Sequence, residues 1–289
     1  MTGVWEDYIK FHQLALETRD VDPTYPVLKQ LAFYEGLTPE DRIRLVMRFV
    51  AYYHLGSGLA SFLGETGPLP CATERRGHRD DRKLQKHLGA LRDVENTAGG
   101  WHGYFKPVFD GNNPKSNWET LQLRLLDIYG NGRWASYKTA EILWKVCGFP
   151  VEASDMGHAY SSGPRQGLDL LIPNLPRGNS KGVVRDLDTA SNWVCARLRK
   201  EGLPAPVEEV ETTLCDFHAL ATGRYYVGHD IDQMLRQLLD VQSGWTRRAL
   251  DARFHTLPHQ YLGEIYGWTG PDSGRKRAYR DAGKILERT

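Results

Sequence analysis

The sequence predicts a mainly α-helical protein, and three observations carry that expectation. Apolar residues recur at helical spacing in segment after segment, capping residues mark where those segments start and stop, and no strand series with apolar–polar alternation interrupts them. There is no internal repeat and no low-complexity tract.

The first segment, Val4 to Arg19, reads as an amphipathic helix, interrupted by Asp22, Pro23 and Pro26 and followed by a second run to Tyr34. Thr38-Pro39-Glu40-Asp41 then spells a helix start, with Thr as N-cap, Pro at the first helical position and acids in the first turn. The helix it opens gathers Ile43, Val46, Met47, Val50 and Tyr53 on one face, and Gly56 and Gly58 are expected to end it. Residues 64 to 82 read as a loop with a basic cluster, Arg75, Arg76, His78, Arg79 and Arg82, before a helix at Lys83 to Asp93. Thr97 to Asn117, rich in Gly, Asn and aromatics, reads as a long loop, a class that is often functional. Further helices are predicted at Trp118–Tyr129, Lys138–Cys147, Asp188–Gly202, Val207–Leu220 and Asp230–Val241, with an irregular polar stretch at 156–186. A basic tail begins at Gly270. The expected organisation is an N-terminal helical region, residues 1–100, packed on a catalytic region, 101–289, as one compact unit.

With 40% hydrophobic and 25% charged residues the composition is that of an ordinary soluble protein. The 37 basic and 36 acidic side chains leave a net charge of +1, which excludes a binder working by bulk positive charge but leaves room for a local basic face. Cys71, Cys147, Cys195 and Cys215 form no CxxC pair, and the N-terminus has no apolar signal region. No stretch approaches the roughly 20 apolar residues that span a bilayer. A cytoplasmic protein with reduced thiols and no membrane partner is the expectation.

The most informative stretch is LQLRLLDIYGNGRWASYKTAEILWKVCGFPVEASDMGHAYSSGPRQGLDLL, residues 121–171. An apolar helix ends at Ile128, Gly130-Asn131-Gly132 makes a tight turn, and a second helix follows. Glycines there permit positive φ and close approach of backbone, and exposed N–H groups at the start of the second helix face an anion. Such a hairpin can hold a DNA backbone without reading sequence.

The hairpin IYGNGRWASYKTAEIL resembles that of the helix-hairpin-helix DNA glycosylases, and Gly148-Phe149-Pro150 followed by Asp155 resembles the element supplying their catalytic aspartate. Two features differ: Lys138 stands further from Gly132 than in the glycosylase pattern, and there is no four-cysteine iron–sulfur loop. Taken together, GNGRWASYKTAEILW, DMGHAYSSGPRQGL and LCDFHALATGRYYVGHDID more specifically resemble the phage amino-acid:DNA transferases, also called α-glutamyl/putrescinyl thymine pyrophosphorylases, over roughly residues 118–240. The resemblance implies a glycosylase-like helical fold in a phage protein working in the bacterial host's cytoplasm. It implies an enzyme that displaces pyrophosphate from 5-pyrophosphoryloxymethyl-uracil in double-stranded DNA with the amine of a free amino acid, glycine or another small one. No organic cofactor is implied, and Mg²⁺ with the pyrophosphate, near Asp230 or Asp232, is the one metal role considered.

The chemistry needs a neutral, positioned amine and stabilisation of the departing charge. Asp155 can take the ammonium proton or orient the amine, with His158 and Lys138 as catalytic companions. Ser161, Ser162 and Arg165 can clamp pyrophosphate or the α-carboxylate. Tyr137, Tyr160 and Trp134 can stack on an extruded base, and Gly130, Gly132, Arg133 and Trp134 form the DNA-binding hairpin. Each has a plainer alternative. Asp155 also fits a helix cap, His158 a structural histidine, and Ser161–Arg165 a simple turn. Cys215 and His218, one turn apart, fit packing better than a zinc site. The basic clusters at 75–82 and 275–288 fit solvated charge as well as phosphate contact. A DNA glycosylase and a non-catalytic DNA-binding protein are the rival functions; the absence of a GxxxxGK[ST] loop argues against a kinase-associated one.

Overall fold

The computed structural model describes residues 2–65, 67–109 and 113–262. The helices in chain order are α1 Thr2–Thr18, α2 Thr24–Tyr34, α3 Pro39–Tyr52, α4 Leu55–Phe62, α5 Asp81–Thr97, α6 Trp101–Phe105 and α7 Pro114–Leu126; then α8 Arg133–Cys147, α9 Gly163–Leu171, α10 Lys181–Lys200, α11 Val207–Ala221, α12 His229–Asp240 and α13 Thr246–Thr256. Short 3-10 turns occupy Thr73–Arg79, Lys106–Phe109 and His259–Tyr261, and no strand occurs among the described residues. The chain is mainly α, as predicted. No helix among the described residues is long and apolar enough to cross a membrane. The basic tail from Gly270 lies outside the described residues.

The chain forms two compact units, and residue 100 falls inside one of them rather than between them. Among the described residues, the first unit is built from 2–23, 153–232 and 257–262, and the second from those of 24–152 and 233–256.

In the second unit α8 is the central helix, lying against α2, α3 and α7, with nearly every residue from Ala135 to Leu143 buried. Thr38 caps α3 as its sequence predicts: its hydroxyl oxygen accepts the Asp41 N–H at 3.2 Å, with Pro39 in the first turn. The expected stop at Gly56 and Gly58 is overturned. The helix ends at Tyr53, in the left-handed region at φ 50°, and His54 caps a new helix that contains both glycines. They serve close packing instead: a Cβ on Gly56 would fall on the carbonyls of Gln237 and Val241, and one on Gly58 would lie 2.8 Å from Phe49 Cα.

The expected loop at 97–117 is also overturned. Its aromatics form α6 and a 3-10 turn, with Trp101, Tyr104 and Phe105 buried and the rings of Trp101 and Phe105 stacked at 5.9 Å. The Glu40 carboxylate of α3 accepts the amides of Trp101 and His102, so the cap for α6 comes from a distant helix.

In the first unit α11 meets α1, α9 and α10. Trp5, Tyr8, Phe11 and Leu14 of α1 enter a core with Met156, Leu168, Val194, Leu214 and Phe217. The stretch read as irregular, 156–186, contains α9 and the first turns of α10, whose N-cap is Ser180. The start of α12, predicted at Asp230, lies at His229 and is fastened by the carboxylate of Asp20, far away in the sequence. The buried Asp20 carboxylate accepts the N–H groups of Gly228 (2.5 Å) and Ile231 (3.1 Å) and the hydroxyl of Tyr225. Burial first, and then the charge of Asp230, push the Asp20 carboxyl up to about 7.

Candidate functional site

In the first unit, residues 153–162 form a turn-rich loop leading into α9. Asp155 Oδ1 accepts the Gly157 N–H at 2.6 Å, an Asx turn, and Ser154 Oγ donates to Oδ2 at 3.4 Å. That arrangement holds the half-buried carboxylate in the loop; it caps no helix.

His158 follows, only 1% exposed. Its Nε2 lies 2.7 Å from Ser191 Oγ on α10, and the Ser191 hydroxyl donates to the Leu187 carbonyl at 2.9 Å. With that proton spent, His158 Nε2 is the N–H donor and Nδ1 carries the bare lone pair. Burial, and then the charge of Arg165, lower His158 to about 4, so the ring is neutral at pH 7. Arg165, on the first turn of α9, donates Nη1–H to the Gly178 carbonyl at 2.7 Å and Nη2–H to the His158 carbonyl. Two of its nitrogens therefore fasten backbone. Asp188, on α10 one turn before Ser191, is pushed up to about 6, chiefly by burial and then by Asp155, with Arg165 opposing. Asp155, His158, Arg165, Asp188 and Ser191 thus form one polar cluster.

Sequence reasoning found three of these and missed Asp188 and Ser191. The available signal was Ser191, a polar residue on the face of α10 that otherwise carries Leu187, Val194, Cys195 and Leu198. Of the other expected groups, Tyr160 and Ser161 are half-buried in the same loop and Ser162 is exposed at the start of α9. Cys215 packs on Gly163, the plainer of its two readings. Among the described residues no three His, Cys, Asp or Glu side chains gather closely enough to hold a metal ion.

The glycine hairpin belongs to the second unit: α7 and α8 pack together and Asp127–Gly132 connects them. Gly130 takes φ +92°, and a Cβ there would fall on the His87 ring. Gly132 has an ordinary φ of −92° with open space around it, so only the first glycine is conformationally required. Below the turn, His87 Nδ1–H donates to the Tyr129 carbonyl at 2.5 Å and its ring lies 4.7 Å from that of His78. His78 in turn donates Nδ1–H to the Ala51 carbonyl (2.7 Å) and accepts from Arg75 Nη2 (3.1 Å). Arg75 and His78 are therefore buried supports, while Arg76, Arg79 and Arg82 of the same cluster are exposed.

Two expected contacts are corrected. Lys138 is 7% exposed, and its ammonium donates to Glu141 at 2.9 Å, so it is held inside rather than offered to the reaction as a catalytic companion of Asp155. Tyr137 is buried edge-on to Trp118, centroids 5.1 Å apart, and its ring is spent on packing. Trp134 is half-buried beside Tyr53 (5.0 Å), whereas Arg133 is exposed at the first turn of α8. Lys86, over the exposed Tyr129 ring at 4.3 Å, adds a cation to the hairpin that sequence reasoning did not select.

Residues 66–226, more than half of the chain, match the family model described as amino acid:DNA transferase. The chain belongs to the amino acid:DNA transferase family. The matched span takes in the hairpin and the cluster of Asp155, His158, Arg165, Asp188 and Ser191. No curated protein matches the chain.

Proposed function

We propose that this amino acid:DNA transferase joins the amine of a small free amino acid, glycine foremost, to the methylene carbon of 5-pyrophosphoryloxymethyl-uracil in double-stranded phage DNA, releasing pyrophosphate. The observation that carries the reading is the Asp155 carboxylate, fixed by the Gly157 amide and accompanied by Asp188, within the span that matches the family. An ammonium is not a nucleophile, so one proton must first pass to a carboxylate. The nitrogen lone pair then forms the C–N bond as the C–O bond breaks, its electrons leaving on pyrophosphate, and the product is a secondary ammonium. Most of the catalysis is positioning and charge stabilisation, which needs no organic cofactor.

In this reading Asp155 takes the proton or orients the amine. Ser161, Ser162 and the amides opening α9 receive an anionic group, and Tyr160 lies against the base. The hairpin, through the amides at Gly132 and Arg133 and the cations Arg133 and Lys86, holds DNA backbone. A helix-hairpin-helix, glycosylase-like ancestry accounts for the pairing of such a hairpin with a following aspartate.

The test is to incubate kinase-treated hydroxymethyl-uracil DNA with the protein and a pool of amino acids, digest the DNA and weigh the nucleosides. A nucleoside heavier by one amino acid residue is expected. Abasic sites with released base would replace this reading by a glycosylase, and unchanged DNA that is still bound would replace it by a non-catalytic binder.

A further inference from the structure

Three polar atoms of the first-unit cluster are shielded from solvent and have no hydrogen-bond partner: His158 Nδ1, Arg165 Nε and Asp188 Oδ1. They belong to side chains already tied together. Arg165 holds the His158 carbonyl, His158 holds Ser191, and Ser191 lies one turn from Asp188 on α10. A buried polar group without a partner is costly. Others occur among the described residues, the three Arg253 nitrogens for instance, but here two acceptors and a cationic donor come together on side chains already tied to one another, a place fitted to something polar.

The hydrogen-bonding sense of each atom is determined. Ser191 donates to Leu187, so His158 donates through Nε2 and its Nδ1 is an acceptor. Asp188 Oδ1 is an acceptor, and Arg165 Nε–H is a donor. Two acceptors and one cationic donor are the complement of a molecule carrying an ammonium and a carboxylate on one carbon.

We propose that His158, Arg165 and Asp188 form the socket for the free α-amino acid, with Asp188 Oδ1 and His158 Nδ1 taking the ammonium and Arg165 Nε the carboxylate. The proposal rests on the transferase reading above and adds to it the substrate's orientation and a further residue, Asp188. It assigns the ammonium jointly to Asp188 and the neutral ring of His158, with Asp155 the carboxylate whose charge acts on Asp188. Near neutral pH the protonation states agree with this role, since Asp188, pushed up to about 6, is mainly ionised and His158, lowered to about 4, is neutral. The socket also discriminates: a simple amine leaves Arg165 Nε unanswered and a simple acid leaves the two acceptors unanswered.

Calorimetric titration of the full chain tests this, with saturating hydroxymethyl-uracil DNA, which lacks the leaving group, present throughout. The probes are the common α-amino acids, each alone, followed by the best binder's decarboxylated amine and its deaminated acid. At least one amino acid is expected to bind, and both analogues to bind more weakly by about tenfold or more, the loss of one charge-assisted hydrogen bond. Asp188→Asn is expected to weaken the best amino acid by about the same factor, since its amide nitrogen repels an ammonium. A ¹⁵N shift of the His158 ring on adding that amino acid to the unmutated protein is the second readout, and needs no variant to fold. Binding by no amino acid, equal binding of the amine analogue, unchanged affinity in Asp188→Asn, or an unmoved His158 resonance would each overturn the socket. Failure of the transferase reading looks different: the amino acid binds as described, yet no heavier nucleoside forms on pyrophosphorylated DNA.

Discussion

The two regions that the sequence singled out bury polar groups to opposite ends. Beneath the hairpin turn the buried ionisable groups are answered: Arg75, His78 and His87 by one another and the carbonyls of Ala51 and Tyr129, and Lys138 by Glu141, while the atoms left over there, Asn131 Oδ1 and Ser136 Oγ, are neutral. In the loop and helices around Asp155, the buried groups are answered incompletely, with one atom each of His158, Arg165 and Asp188 left over. A satisfied buried network rigidifies its surroundings, and a buried group left without a partner calls for an explanation, which the proposed socket supplies. The hairpin's interior is architecture that presents a surface, whereas the Asp155 cluster is a receptor.

That contrast can be broken at either end, and the largest effect is expected at the receptor. Asp155→Asn keeps an acceptor for the Gly157 amide but removes the proton acceptor, so transfer should fall by about 10²–10⁴-fold. DNA affinity, measured by fluorescence anisotropy, should be unchanged; if it falls in parallel with transfer, the carboxylate belongs to the fold rather than to the chemistry.

On the architectural side, Glu141→Ala leaves the Lys138 ammonium buried without its carboxylate and should cost about 3–5 kcal/mol in urea unfolding. Replacing both partners, Lys138→Met with Glu141→Leu, should restore most of it. A single variant as stable as the parent would show that the pair contributes nothing.

The histidines sharpen the same point through pH. Burial, foremost, lowers His87 to about 3 from the ordinary 6.5, so the folded chain binds fewer protons than the unfolded one between those values. Stability is therefore fully present above 6.5 and is lost as pH falls, by about 2–3 kcal/mol at pH 4.5. His87→Asn, which can still donate to the Tyr129 carbonyl, should make the loss of stability between pH 7 and 4.5 less steep, with buried His158 contributing to the slope that remains. An equally steep profile in the variant would remove His87 as the cause.

The smallest effect belongs to the hairpin's exposed face. Arg133→Ala should weaken DNA binding at all sequences alike and reduce the slope of log affinity against log salt by about 1. An unchanged slope would mean that Arg133 meets no phosphate.

What could be read in the sequence follows from the range of the interactions involved. Thr38 and Pro39 announce α3 because cap and helix lie within four residues of each other. The same local logic misses α6, whose cap is Glu40, and assigns the start of α12 to Asp230 when Asp20 supplies the acceptors. It took Gly56 and Gly58 for breakers because their close neighbours, the carbonyls of Gln237 and Val241 and the backbone of Phe49, are visible only in three dimensions. In the site, Asp155, His158 and Arg165 were legible because they crowd into eleven residues. Asp188 was not. The spacing starts a helix at Asp188, whereas α10 starts at Lys181 and carries Asp188 well inside it, so the face that Asp188 shares with Ser191 is visible only in the fold. Lys138 and Tyr137 misled for the converse reason, since chemistry-bearing side chains on a helix buried on nearly every side serve its packing.

The Asp20 carboxylate sets a practical rule for cutting this chain. It is the acceptor for Gly228, Ile231 and Tyr225, yet it stands outside the family-matched span, as do the aromatic residues of α1 that fill the same core. A fragment trimmed to residues 66–226 would keep every proposed reactive group while stripping α1 from the core that supports them. Homology borders and folding borders diverge here, and expression trials should retain the N-terminal helix.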